Sequence, residues 1–288
     1  MRGDISGLEL SRKISALLSG EFGGRAALAT VISRGGSAPQ IVGAKLLLLD
    51  DGSHVGTVGG GAIEAKVIEA CRQTLRFGQS RKVQADLVRD LAMCCGGSME
   101  IFVEYLEAQQ RLFIIGAGHV SQALAPLARD LSFEVHVLDD RDDLLDHPNF
   151  EGLETGSYDA DELPAAVGEG SDRDAFIIVT RDHARDEKAL SVLIEAPHAY
   201  IGMIGSRRKV HTVLGRVLRR YDERGRPRPA LDRLRAPVGL NLGGRTPREI
   251  AVSILAELVA ERHGGDGERM SITEQVLAVR ESQSEAEA

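Results

Sequence analysis

Apolar and polar positions follow two different rhythms along this chain. In the first hundred residues, Ile5, Leu8, Ile14, Leu17 and Leu18 fall on one stripe of a helix. Ala26–Ser33 reads as a buried strand, and Ala44–Leu49 as a second, stopped by the turn Asp50-Asp51-Gly52. His54–Val58 is placed to pair back as a hairpin. Gly59, Gly60 and Gly61 then open a segment, Ala62–Cys71, whose apolar residues have helical spacing. Arg81–Leu87 and Ser98–Tyr105 read as two further strands. An α+β unit over residues 1–106 accounts for this pattern.

After the polar stretch Glu107–Gln110 the rhythm changes. Arg111–Ile115, Phe133–Leu138, Asp174–Thr180 and Ala199–Ile204 are short, nearly all-apolar runs separated by helical segments. Helices are expected from Gly116–His119 to about Asp130, through Glu195, from Ser206 onward and over Pro247–Arg262. The last has a clear start: Thr246 as cap, Pro247 in the first turn and Glu249 three residues after the cap. Strands apolar on both faces, alternating with helices, predict a parallel sheet covered on both sides. That unit spans 111–265, and 266–288 is expected to form a C-terminal helix and flexible tail.

Composition narrows the function classes. With 288 residues, 43% apolar and 27% charged, the chain can bury two cores. Its 35 basic and 43 acidic residues give a net charge of −8, which argues against general nucleic-acid binding. No apolar run approaches a membrane span, and Met1-Arg2-Gly3-Asp4 lacks the apolar core of a secretory signal. Three cysteines, two of them adjacent, make no disulfide framework. These readings point to a cytoplasmic protein with neither a membrane nor a nucleic-acid partner.

Five places could carry chemistry. Gly116-x-Gly118, ahead of His119, follows a strand and opens a helix, as in a Rossmann-type dinucleotide site. Asp139, 23 residues after Gly116, stands where such folds place a ribose-binding acid, although Ser121 replaces the third glycine. NAD(P) or another nucleotide is therefore a candidate cofactor. Gly59-Gly60-Gly61 is a candidate anion nest, with Glu64 in the first turn of the following helix. Cys95, beside Gly96 and Gly97, is a candidate soft ligand for a metal or a carrier of sulfur, whereas Cys71 reads as core. Ser206-Arg207-Arg208-Lys209 opens a segment, 205–235, with eleven Lys/Arg against three acids, which suits an anionic ligand or an acidic partner. Asp182, His183 and Asp186 follow the third strand of the parallel sheet, at its ligand-collecting end.

Taken in order, several stretches resemble the XdhC/CoxI family of maturation factors for molybdenum hydroxylases. They are Gly36–Pro39 with Gly43–Lys45, Gly56–Glu64, Cys95–Gly97, Ile115–His119, Leu138–Arg141, Ile204–Lys209, Ala236–Leu240 and Gly244–Ala251. The resemblance implies an α/β protein: an N-terminal XdhC/CoxI domain followed by a Rossmann-like domain. It also implies a job. Such a protein binds the molybdenum cofactor (molybdopterin), protects it during sulfuration and hands it to a xanthine dehydrogenase-type enzyme. A homodimer and a cysteine desulfurase partner belong to the same expectation. So does a cofactor site drawn from Cys95–Gly97, Gly59–Gly61, Glu64, Gly116, Gly118, His119, Asp139 and Ser206–Lys209, with Cys95 as the contact for molybdenum or sulfur. Three positions depart from the family's patterns: Ala62, where part of the family has Cys, Arg181 in place of a His, and Asn241 in place of an Asp. The competing reading is an NAD(P)-dependent oxidoreductase built on Gly116, Gly118 and Asp139.

Overall fold

A computed structural model describes residues 7–20, 24–87, 97–159, 162–168 and 170–273. The chain divides into two compact units, Met1–Gln109 and Gln110–Ala288.

Unit 1 contains α1 (Gly7–Leu18), β1 (Arg25–Gly36), β2 (Lys45–Leu49), β3 (His54–Gly56), α2 (Gly61–Phe77), β4 (Arg81–Asp86) and β5 (Gly97–Glu107). The strands form one antiparallel sheet in the order β3-β2-β1-β5-β4. Central β1 is buried over Ala26–Ala29 on both faces because a helix covers each. On one face Ile63, Val67 and Cys71 of α2 pack on Ala27, Ala29, Leu46, Leu48 and Ile101. On the other, Leu10 and Leu17 of α1 pack on Ala26, Leu28 and Leu47. Each of those two leucines contributes about 1.5–3 kcal/mol by leaving water. Burial pushes the Cys71 thiol up to about 12, so this cysteine is a core residue without thiolate chemistry.

Unit 2 contains β6 (Gln110–Ile115), α3 (His119–Asp130), β7 (Phe133–Asp139), α4 (Asp142–Leu145), β8 (Glu154–Ser157), α5 (Leu163–Val167), β9 (Ala175–Ile178), α6 (His183–Leu193), β10 (Tyr200–Met203), α7 (Arg207–Glu223), β11 (Leu234–Arg235) and α8 (Pro247–His263). Its six strands are parallel in the order β11-β10-β9-β6-β7-β8. The chain winds outward from β6 to β8, then returns to β9 and winds the other way. This is the doubly wound Rossmann topology, with its switch point between β6 and β9. Helices α3 and α8 cover one face, and α5, α6 and α7 the other.

Two of the six strands escaped the hydrophobic pattern. β8 (Glu-Thr-Gly-Ser) and the two-residue β11 are edge strands, so they need no continuous apolar run. The run Asp174–Thr180 supplies only four strand residues, because both of its ends have other work. Asp174 accepts the Arg111 guanidinium at 2.9 and 2.6 Å, and Thr180 donates to Asp186 at 2.7 Å. Residues 266–272 carry no helix, and the rest of the expected C-terminal helix and tail lies outside the described residues. Among the described residues no helix is long and apolar enough to cross a membrane.

Candidate functional site

In unit 1 the glycine motifs converge at one end of the sheet. β1 ends where β5 begins, with Gly36 opposite Gly97. A carbon added at Gly97 would sit 2.6 Å from the Gly35 carbonyl oxygen and 3.0 Å from that of Ser37, so only glycine lets the strands start this closely. A carbon added at Gly59 would sit 2.8 Å from the Pro39 ring. The end of β1 and the loop that follows it, residues 35–39, thus touch both the start of β5 and the triple-glycine turn. Gly59, Gly60 and Gly61 have φ of 135°, 69° and 60°, and Gly60 caps α2 without a side chain, so the turn presents bare backbone. Glu64 is tied into this turn: the Thr57 hydroxyl donates to its carboxylate at 2.5 Å and accepts from the Gly59 N–H at 3.2 Å. Cys95 and Gly96, the proposed soft ligand and its neighbour, lie outside the described residues; Gly97 is two positions further on.

In unit 2 the switch-point crevice is occupied by the chain's own charges. Gly116 has φ 115°, and a carbon added there would sit 2.6 Å from the Val179 carbonyl oxygen, so glycine is required for β6 to close against β9. Gly118 caps α3 and His119 is exposed at its first position, while the Ser121 hydroxyl is buried and donates to the Gly116 carbonyl. Asp139 is also turned inward. Its carboxylate accepts from the Ala117 N–H at 2.7 Å, the Arg141 N–H at 3.0 Å and the Arg141 guanidinium at 2.8 Å on each oxygen. Those four bonds use the acceptor capacity that a ribose would need. Asp140 accepts a fork from Arg181 at 2.6 and 2.8 Å and further bonds from Arg185 at 2.7 and 3.2 Å. Arg181, with Arg185 in support, holds the Asp140 carboxyl well below the usual carboxylate range. Asp182 caps α6 through the Arg185 N–H at 2.9 Å, and that bond lowers its pKa. The space left among these groups is about 20 Å³, room for about one water.

The sequence pointed to Asp139 and marked Arg181 only as a departure from the family pattern; it missed that the two share one ion cluster with Asp140 and Arg185. The available signal was position: β7 and β9 flank β6, so charges at their carboxyl ends meet across the bare Gly116.

The Ser206–Lys209 motif splits by role. Ser206 caps α7, accepting from the Lys209 N–H at 3.2 Å. The Lys209 ammonium is ion-paired with the fully buried Asp186, and Gly205 makes room for its stem: a carbon there would sit 2.6 Å from Lys209 Cδ. Arg207 and Arg208 are exposed. Much of the remaining basic segment is neutralised from elsewhere. Arg216 and Arg220 pair with Glu187, Arg226 with Glu195 and Arg235 with Glu261. Part of the basic charge over 205–235, which the sequence reading matched to an anionic ligand or an acidic partner, is thus paired within the chain.

Residues 21–88 match the XdhC and CoxI family, and residues 112–258 match the XdhC Rossmann domain, in the order of the two units. The chain belongs to the XdhC/CoxI family. It is 37% identical over 246 residues to the uncharacterized protein YqeB of Escherichia coli K12, covering 84% of this chain and 44% of that one. It is 27% identical over 281 residues to the molybdenum cofactor insertion chaperone PaoD of the same organism, covering 86% of each. It is 30% identical over 169 residues to a probable xanthine dehydrogenase subunit of Bacillus subtilis 168, covering 56% of this chain and 46% of that one. The chain thus spans less than half the length of YqeB and of the Bacillus relative. In this XdhC/CoxI chain the Arg181 guanidinium closes the crevice on Asp140.

Proposed function

We propose that this chain binds the molybdenum cofactor and delivers it to a xanthine dehydrogenase-type molybdenum hydroxylase. The observation that carries the reading is end-to-end similarity, over 86% of both chains, to a relative named as a molybdenum cofactor insertion chaperone. Two structural features support it. The bare backbone of Gly59–Gly61 lies next to the loop that packs on Gly97, which suits an anionic cargo. The dinucleotide crevice is filled by Arg181, Arg185 and Asp140, which disfavours NAD(P) turnover as the main task.

The finer assignments belong to the same proposal. Cys95 offers its thiolate to molybdenum or to its exchangeable sulfur, because soft metals favour soft ligands. The cargo is held during sulfuration, with a cysteine desulfurase as sulfur source, in a cytoplasmic homodimer. The test is pterin retention. The chain is purified from cofactor-producing cells, and oxidised pterin is measured by fluorescence beside NAD and NADP titrations. Retained pterin that falls several-fold in Cys95→Ala, with an unchanged melting curve, is the expected result. NAD or NADP binding without any retained pterin overturns the proposal.

A further inference from the structure

The amino edge of the parallel sheet, opposite the glycine motifs of unit 2, carries a cavity of its own. Helices α6 and α7 run back toward the amino ends of the strands, and between their last turns lies a space of about 620 Å³. The end of α5 and the turn that leads from α6 to β10 complete its wall. Val167, Val192, Leu193, Pro197 and Val217 make that wall largely apolar.

The charged groups around it are spent on one another, with one exception. The Tyr221 hydroxyl donates to Glu195 at 2.7 Å. Arg226 pairs with the same carboxylate at 3.0 Å and lies over the Tyr221 ring, 5.2 Å from its centre. Burial first, and the Glu195 carboxylate second, push the Tyr221 phenol up to about 12, so at neutral pH it stays a donor to Glu195. Arg220 pairs with Glu187 and donates to the Ser191 hydroxyl at 3.2 Å, and Ser191 in turn donates to the Glu187 carbonyl at 2.7 Å. The exception is Arg224. Its backbone N–H holds it to the end of α7 through the Arg220 carbonyl at 3.2 Å. Among the described residues its guanidinium has neither an ion-pair nor a hydrogen-bond partner.

Charge and shape together narrow the ligand. One free guanidinium fork matches the two oxygens of a single carboxylate and would leave a dianion half neutralised. Both α6 and α7 end at the cavity, and the carbonyl ends of helices repel an anion. A charged head is therefore kept off the floor and belongs at the rim, where Arg224 is exposed. The apolar walls are left for the body of the ligand, which gains about 25 cal/mol per Å² of apolar surface it buries. The volume lies within the roughly 300–1,000 Å³ range of small-molecule sites.

We propose that this cavity binds a monocarboxylate with an apolar body, its carboxylate on Arg224 and its body against Val192 and Val217. The inference rests on the cavity and its one unpaired cation and does not depend on the cargo proposed above.

Calorimetry on the full chain tests it with two pairs of probes, octanoate against octanol and 4-phenylbutyrate against 4-phenylbutanol. The two pairs separate an aliphatic from an aromatic body. At least one carboxylate is expected to bind about tenfold or more tightly than its alcohol, through the charge-assisted fork. Arg224→Ala is expected to weaken that binding about tenfold and to leave the alcohol unaffected. Its side chain lacks structural contacts, so its melting curve should match wild type. Val192→Trp, which fills the cavity from α6, is expected to abolish binding of acid and alcohol alike. No binding of either carboxylate at millimolar concentration, equal binding within both pairs, or carboxylate binding unchanged in either variant overturns the inference. Arg224→Ala alone carries the test if Val192→Trp lowers the melting curve. Pterin retention is read separately, so failure of the cargo reading shows as lost pterin with carboxylate binding intact.

Discussion

The parallel sheet of unit 2 has two mouths at its carboxyl edge, and they are finished in opposite ways. At the switch point, Asp139, Asp140, Arg141, Arg181 and Arg185 neutralise one another and leave about 20 Å³. At β10 and β11, about 530 Å³ remains, with Arg207 and Arg245 facing no carboxylate among its lining residues. The topology offers a ligand site at the first place; the side chains close it and leave the second open. Fold alone therefore does not decide which of the two mouths stays open.

The sharpest way to break that comparison is to deform the closed mouth. Gly116→Val forces a side chain onto the Val179 carbonyl at an unfavourable φ. It should cost about 4 kcal/mol in urea unfolding; a loss below about 1 kcal/mol would show that β6 and β9 need not close this tightly.

Lys209→Ala comes next. It leaves the fully buried Asp186 without its cation, at a cost of about 3 kcal/mol by the same measurement. The neighbouring Arg207→Ala should change stability by less than about 0.5 kcal/mol. Equal effects at the two positions would erase the distinction between a paired and an unpaired cation within one motif.

A smaller effect separates Asp140. Its carboxyl is held below the usual range by Arg181 and Arg185, so the folded state binds that proton more weakly than the unfolded chain does. The stabilisation is in place above the unfolded value near pH 4 and is lost as pH falls below it, toward the depressed folded value. Asp140→Asn should cost about 1 kcal/mol at pH 7 and flatten the acid limb of the melting-temperature profile. An acid limb identical to wild type would exclude Asp140 as its source. Tight NAD binding to the wild-type chain would show that the Arg181–Asp140 closure yields to a ligand.

Much of the fold was legible because apolar period is a local property. β6, β7, β9 and β10 are buried on both faces and read as apolar runs, while β8 and β11 are edges and do not. The triple-glycine turn was legible for a similar reason, since three positive φ values demand glycines in sequence. Its contact with the Pro39 loop was not, because that contact joins segments some twenty residues apart.

Length, periodicity and the ordered glycine motifs were enough to establish an α/β chain of two parts and its family resemblance. Charge pairing was the quantity they left undetermined. Eleven cations against three acids over 205–235 suit an anionic ligand or an acidic partner, and acids on other elements pair with several of those cations: Glu187 on α6, Glu195 just beyond it and Glu261 on α8. Backbone preference and burial are decided by near neighbours in sequence, so a pattern along the chain reveals them. Ion pairing falls off with distance in space, so only packing could decide that Lys209 and Arg181 are spent and that, among the described residues, Arg207 and Arg245 have no ion-pair partner.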